Sequence, residues 1–395
     1  MLINQGGTMA EDLMNLRKFV APEFIYGPGA RSLAGNFIAR LGVNKVMVVS
    51  DPGVQKAGWV DGILASLSKA QVSYIYFDEV SPNPRDYQVM LGAEIYRREH
   101  CEAIVAVGGG SPMDLAKGVG IVVSNNRHVL DFEGIDQVEI PSPPLVCIPT
   151  TAGSSADVSQ FAIINDSKRK IKIAIVSKAV VPDMALIDPE TTLSMDPELT
   201  AATAMDALTH AVEAYVSRAA FSITDTHALQ AISLVRKNIL KSVKAPGNPE
   251  YRDKLMLGSL HAGLAFSNAI LGAVHALAHS LGGLMDFPHG MCNALLLSHV
   301  VRFNFDSSAD RYVDIARAMG IQTSGLKKEH IRDSLCDEIV DLHFQAGLTR
   351  PLGEMGLKKE FIPELARNAL NDPCMLTNPK TMSESDVQKI LLSSI

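Results

Sequence analysis

The chain has 395 residues, 47% hydrophobic and 20% charged, with a formal net charge of −7. That length exceeds the roughly 250–300 residues over which one hydrophobic core keeps growing, so two domains are expected. An acidic balance without a Lys/Arg-rich stripe argues against nucleic-acid binding, and the apolar runs break well before the ~18 residues of a membrane span.

The first 15 residues lack a strong apolar period and read as an extension; with no basic, then apolar, leader in them, a cytoplasmic protein is expected. The strand predicted over Lys45 to Ser50 ends in Asp51. A carboxylate there suits the 2′-hydroxyl of an adenosine ribose and repels a 2′-phosphate, favouring NAD over NADP; Asp51-Pro52-Gly53 also reads as a plain turn opening a helix. A further strand covers Val72 to Phe77. The next, Ala103 to Val107, runs into Gly108, Gly109, Gly110 and Ser111, with Pro112 near the start of a helix that carries Asp114 and Lys117. Free N–H groups at such a strand-to-helix turn cradle phosphate. The segment is neither the GxGxxG fingerprint nor a P-loop, and three glycines alone often make only a tight turn.

Leu145 to Ile148, Lys172 to Val176 and Met184 to Ile187 continue the strand series, so the first half is expected to be a Rossmann-like α/β domain with a parallel sheet. The pattern changes near residue 195, placing the boundary between residues 1–195 and 196–395. Beyond it, alanine- and leucine-rich periodic segments such as Glu198 to Ala219, Thr226 to Lys241 and Arg252 to Ala265 predict an all-helical second domain.

Asp206 and His210 are four apart on one of these helices, about one turn, and so share a face. His275 and His279 repeat that spacing, and His289 follows ten residues later. Any one of these histidines alone reads as a hydrogen-bonded core residue. Together, Asp206, His210, His275 and His289 suit a divalent metal, because burying them unpaired costs on the order of a few kcal/mol each. Three imidazoles and a carboxylate accept Fe(II), Zn(II), Co(II) or Ni(II). Cys101, Cys147, Cys292, Cys336 and Cys374 are odd in number and widely spaced, fitting reduced thiols better than a disulfide framework.

Over most of its length the chain resembles the iron-containing (group III) alcohol dehydrogenases, which share the architecture of dehydroquinate synthase. The resemblance rests on Phe24 to Gly29, Gly108 to Asp114, Ile148 to Gly153, Asp206 to Glu213, Phe266 to Gly272, Val274 to His279, Pro288 to Gly290 and Asn371 to Pro379. It implies Asp206, His210, His275 and His289 as ligands of iron, with His279 beside the metal and nicotinamide. It also implies Asp51 as the NAD-selecting acid, Gly108 to Ser111 as the pyrophosphate loop with Asp114 beyond, and Thr150 and Thr151 in the cofactor cleft. Phe266 becomes a wall of the substrate pocket, while Cys374 reads as a packing or pocket-wall residue. Many relatives continue Thr-Thr-Ala-Gly with Thr-Gly-Ser-Glu-Val-Thr, where this chain has Ser154 to Ser159.

The expected function is NAD(H)- and metal-dependent interconversion of a small primary alcohol or diol and its aldehyde by a homodimer or higher homo-oligomer. The alternatives are a lyase of the dehydroquinate synthase type and a non-catalytic scaffold. Leu271 to Leu297 contains no Lys or Arg to pair the phosphate of the lyase's substrate, which weighs against that reading.

Overall fold

The structure, a computed structural model, describes residues 17–395; the expected extension over residues 1–15 lies outside the described residues. Six strands form the main sheet: β1 (Glu23–Tyr26), β2 (Lys45–Val49), β3 (Ser73–Phe77), β4 (Ala103–Gly108), β6 (Leu145–Pro149) and β9 (Met184–Ile187). Their spatial order is β1-β9-β6-β4-β2-β3, and every pairing is parallel. The residues of β4 and β6 are buried throughout, as expected of central strands covered on both faces. The chain leaves β2 toward β3 on one side and returns as β4 on the other. The C-terminal ends of β2 and β4 therefore flank a topological switch, where open α/β sheets form ligand crevices.

Lys172 to Val176 does not extend this sheet. It belongs to β8 (Ile171–Val176), which pairs antiparallel with β7 (Phe161–Asp166) and parallel with the short β5 (Gly134–Ile135) in a separate three-stranded sheet. The parallel-layer expectation fails here because Lys168, Arg169 and Lys170 make a tight turn, with Lys170 N–H donating to Asp166 O, and β7 folds straight back onto β8.

Helices dominate after Ile187. The long ones are α1 (Pro197–Val216), α2 (Ser222–Lys244), α3 (Pro249–Ala269), α4 (Ala273–Met285) and α5 (His289–Asn304). Asp196 caps α1 through its side chain and Asn248 caps α3, each ahead of a proline in the first turn. All but a few residues of α1 and α4 are buried, so these helices are core elements rather than amphipathic surface ones. Helices α3 and α4 meet at 97°, and no single described helix is long and apolar enough to cross a membrane.

Candidate metal centre and cofactor cleft

Asp206, His210, His275 and His289 converge from α1, α4 and the first residue of α5. Asp206 Oδ1 lies 3.7 Å from His210 Nε2, 3.6 Å from His275 Nε2 and 3.6 Å from His289 Nε2. Donors about 2.0–2.2 Å from one ion in a near-tetrahedral array stand roughly 3.3–3.6 Å apart, close to each Asp206–histidine spacing. The donor atoms of Asp206, His210 and His275 lie within 4.8 Å of one another as a candidate metal group, and His289 approaches it through Asp206. The donors suit that ion electrostatically. Burial pulls the His210 imidazole down to about 3, keeping it a neutral lone-pair donor. Burial acts to raise the Asp206 carboxyl, but His210, His289 and His275 outweigh it and hold it well below the usual range.

Glu213, one turn beyond His210, supports the set from behind. Its Oε2 accepts from His275 Nδ1 at 2.6 Å, and its two oxygens accept the Gly272 and Val274 N–H groups at 3.0 and 2.6 Å. One carboxylate thus caps α4 and turns the His275 lone pair at Nε2 toward Asp206. Burial lowers His275, but its bonds to Asp206 and Glu213 push it up to about 9, so with no ion between them its Nε2 carries a proton toward Asp206 that a bound metal would displace. Asn293, fully buried one turn after His289, donates from Nδ2 to Asp206 Oδ1 at 2.7 Å.

His279 Nδ1 lies 2.8 Å from Asp372 Oδ2, and Asp372 Oδ1 accepts the Cys374 N–H. Phe266 stacks on His210 with ring centroids 4.2 Å apart. These rings line a cleft of about 970 Å³ that extends past Thr150, Thr151 and the glycine loop to Asp51. Cys374 is fully buried and not among the cleft-lining residues. All five cysteines are free and buried.

The glycine loop is shaped by close approach. Gly108 has φ +150, and a Cβ there would meet Pro112 Cγ at 2.6 Å; a Cβ on Gly109 would press on Thr151 at 3.2 Å. The helix Gly110–Asn125 that follows has no side-chain cap, so its first N–H groups face the cleft. Asp51 opens a short helix, its Oδ1 accepting from Gly53 N and Val54 N at 2.8 and 3.0 Å, and it also lines the cleft. Asp114 also lines the cleft, and burial pushes its carboxyl up to about 7.

The divergent segment is locally compensated. Ser155 sits at φ 49, a region that favours glycine, and its hydroxyl donates to Ser259 O at 2.7 Å. Asp157 is buried, and desolvation raises its carboxyl to about 6.

Sequence reading missed Glu213, Asn293, Asp372 and Lys172. The first two carried a usable signal, since Glu213 lies three residues after His210 and Asn293 four after His289, on ligand-bearing helix faces. Lys172 bears on the lyase alternative. It enters the cleft from β8, so the absence of cations from residues 271–297 is not an absence from the site. It is still the only Lys or Arg among the described cleft-lining residues, too few for a phosphorylated sugar acid.

Comparison with known proteins agrees with this geometry. Residues 21–189 match the family described as iron-containing alcohol dehydrogenase, and residues 200–395 match the C-terminal part of the Fe-containing alcohol dehydrogenase family. The 1,3-propanediol dehydrogenase of Citrobacter freundii is 41% identical over 92% of this chain and 95% of its own. The NAD-dependent methanol dehydrogenase of Bacillus methanolicus is 33% identical over 95% of this chain and 99% of its own. A crystal structure of 1,3-propanediol oxidoreductase superposes with a TM-score of 0.93 at 38% identity, covering 96% of this chain and 100% of that one. The chain belongs to the iron-containing alcohol dehydrogenase family.

Proposed function

We propose that the protein interconverts a short primary alcohol or terminal diol and its aldehyde, with NAD(H) as hydride partner and Fe(II) as the ion held by Asp206, His210, His275 and His289. The observation that carries this is the convergence of three imidazoles and one carboxylate at the inner end of a cleft whose other end is an uncapped helix N-terminus. When bound, a divalent ion polarises an alcohol or carbonyl oxygen as a Lewis acid and NAD(H) exchanges the hydride. The chain's residues do the rest. The N–H groups of Gly110 and Ser111 hold the pyrophosphate, and Asp51 accepts from the adenosine ribose. Phe266 and Leu271 wall the reacting end against water. Asp372 accepts a hydrogen bond from the His279 Nδ1–H, which fixes the tautomer and leaves Nε2 to move the alcohol proton. The names of the methanol and 1,3-propanediol dehydrogenases support NAD and a small alcohol.

Several finer assignments belong to the same reading. The strands ending at Ile187 and the helices beginning at Pro197 support a division into residues 1–195 and 196–395. Five free thiols support a reducing, cytoplasmic setting. The exposed edge strand β1, with Phe24 and Ile25 39% and 37% exposed, supports a homodimer.

The test is NADH oxidation by Fe(II)-loaded protein across propanal, 3-hydroxypropanal, lactaldehyde and formaldehyde. Turnover ranks the substrates by kcat/KM; none with any aldehyde sinks the reading.

A further inference from the structure

Behind the cleft lies a second cavity, of about 410 Å³, in which the metal set and the cofactor loop have no part. Widely separated segments enclose it: Arg17 and Lys18, Asp136 after β5, Gln160 ahead of β7, Arg218 after α1 and Ile270 after α3. The two cavities share a wall. Gln160 lines this cavity, whereas its neighbours Ser159 and Phe161 line the cleft. Ser267 and Ile270 stand in the same relation to Phe266 and Leu271. Gln160 knits the wall together, its backbone N–H donating to Ser267 Oγ at 3.0 Å and its Nε2 to Ser267 O at 2.8 Å.

Charge points to the kind of ligand this cavity takes. Arg17, Lys18 and Arg218 gather around it against the single carboxylate of Asp136, on a chain whose formal net charge is −7. Lys18 Nζ has no hydrogen bond or ion pair among the described residues, and Asp136 forms no ion pair with Lys18 or Arg218. Arg218 engages only Nη2 among the described residues, with the Pro379 carbonyl at 3.4 Å and the Thr381 hydroxyl at 3.2 Å. Its remaining guanidinium donors, beside an ammonium group, suit the oxygens of a phosphate. Three cations less one carboxylate leave two positive charges, which a phosphate monoester, at about −1.5 to −2 near neutral pH, balances better than a monocarboxylate does. The volume and the apolar Val176 and Ala219 leave room for a small organic portion.

Ile270 links this cavity to the chemistry. It stands at φ 61 and ψ −172, a region that essentially only glycine adopts freely, and its side chain is β-branched. This strained residue joins α3, which carries Phe266, to the turn through Leu271 and Gly272 that opens α4 and leads to His275. We propose that the cavity is an effector site for a small phosphate-bearing anion, held by Lys18 and Arg218, whose occupation acts through Ile270 on the cleft wall at Phe266 and Leu271.

The test uses the full-length, metal-loaded protein freed of unbound ion, with NAD present to occupy the glycine loop. Inorganic phosphate is titrated calorimetrically at matched ionic strength into the unaltered protein and its Lys18→Gln and Arg218→Gln variants. NADH oxidation by a short aldehyde is then followed with and without phosphate. Saturable binding that weakens about tenfold in at least one variant supports the site. A change of about twofold or more in kcat/KM on adding phosphate, lost in the same variant, supports its coupling to the cleft. Glycerol phosphate binding more tightly than inorganic phosphate assigns the apolar side to an organic portion, and equal affinity assigns the site to the free ion. Absent binding, or affinities within about twofold of the unaltered protein in both variants, overturns the site. Binding that a variant weakens, with no effect of phosphate on kcat/KM, overturns the effector role. The rate measurement rests on the dehydrogenase reading above; if no aldehyde is turned over even without phosphate, that reading fails while the binding comparison still decides the site.

Discussion

Glu213 Oε2 lies 2.6 Å from His275 Nδ1 while the same carboxylate accepts the Gly272 and Val274 N–H groups. One side chain thereby ties the start of α4 to α1 and sets which nitrogen of His275 faces Asp206. Replacement Glu213→Gln keeps the volume but substitutes an amide for the charged acceptor. Metal affinity should fall about 10–100-fold, read by competition with a chelator, while the fold survives by circular dichroism. Unchanged affinity would show that Glu213 is only a helix cap.

His275→Ala removes one of the four proposed metal donors outright. The variant should purify without stoichiometric metal and show no turnover, whereas the wild type retains about one ion per chain. Normal activity in a metal-free His275→Ala protein would remove the four-residue site from the mechanism.

Different replacements separate the helix-capping contact of Asp51 from its proposed choice of NAD over NADP. Its Oδ1 caps a short helix through Gly53 and Val54. Asp51→Ser keeps a capping oxygen but discards the charge, so the NAD/NADP ratio of kcat/KM should fall at near-constant melting temperature. Asp51→Gly should lower the same ratio, with only a few tenths of a kcal/mol lost from the cap. A ratio unchanged in both variants would show that the carboxylate does not discriminate between the cofactors.

Stability should depend on pH through a histidine pair remote from the cleft. His227 Nδ1 and His261 Nδ1 lie 2.8 Å apart between α2 and α3. Burial, then the neighbouring His227, pulls His261 down to about 4, below its unfolded value near 6.5. The unfolded chain therefore binds more protons between those values. The pair's contribution is fully present above about pH 6.5 and is lost as pH falls toward 4. The melting temperature of His261→Gln should fall less than that of the wild type across that window; parallel curves would contradict the assignment.

Much of the candidate metal site was legible in the sequence because helical spacing of four places Asp206 with His210, and His275 with His279, before any tertiary contact is known. The α/β order of β2, β3, β4 and β6 was legible from short apolar runs bounded by turns. Asn165, Lys172 and Asp372 were not, since each reaches the cleft through pairing or packing across long sequence separations. Lys172 lies 34 positions before Asp206 and belongs to a hairpin that reads locally as one more parallel strand. Spacing within a segment reports its own face, and only the fold reports what faces it.

The most direct test of the central claim is an anaerobic Fe(II) titration of chelator-stripped protein, with ions bound per chain and NADH oxidation by a short aldehyde measured on the same samples. Turnover rising in proportion to occupancy and levelling at one ion per chain is the predicted result. Turnover at zero occupancy equal to that at full occupancy would contradict a metal held by Asp206, His210, His275 and His289 as the seat of the chemistry.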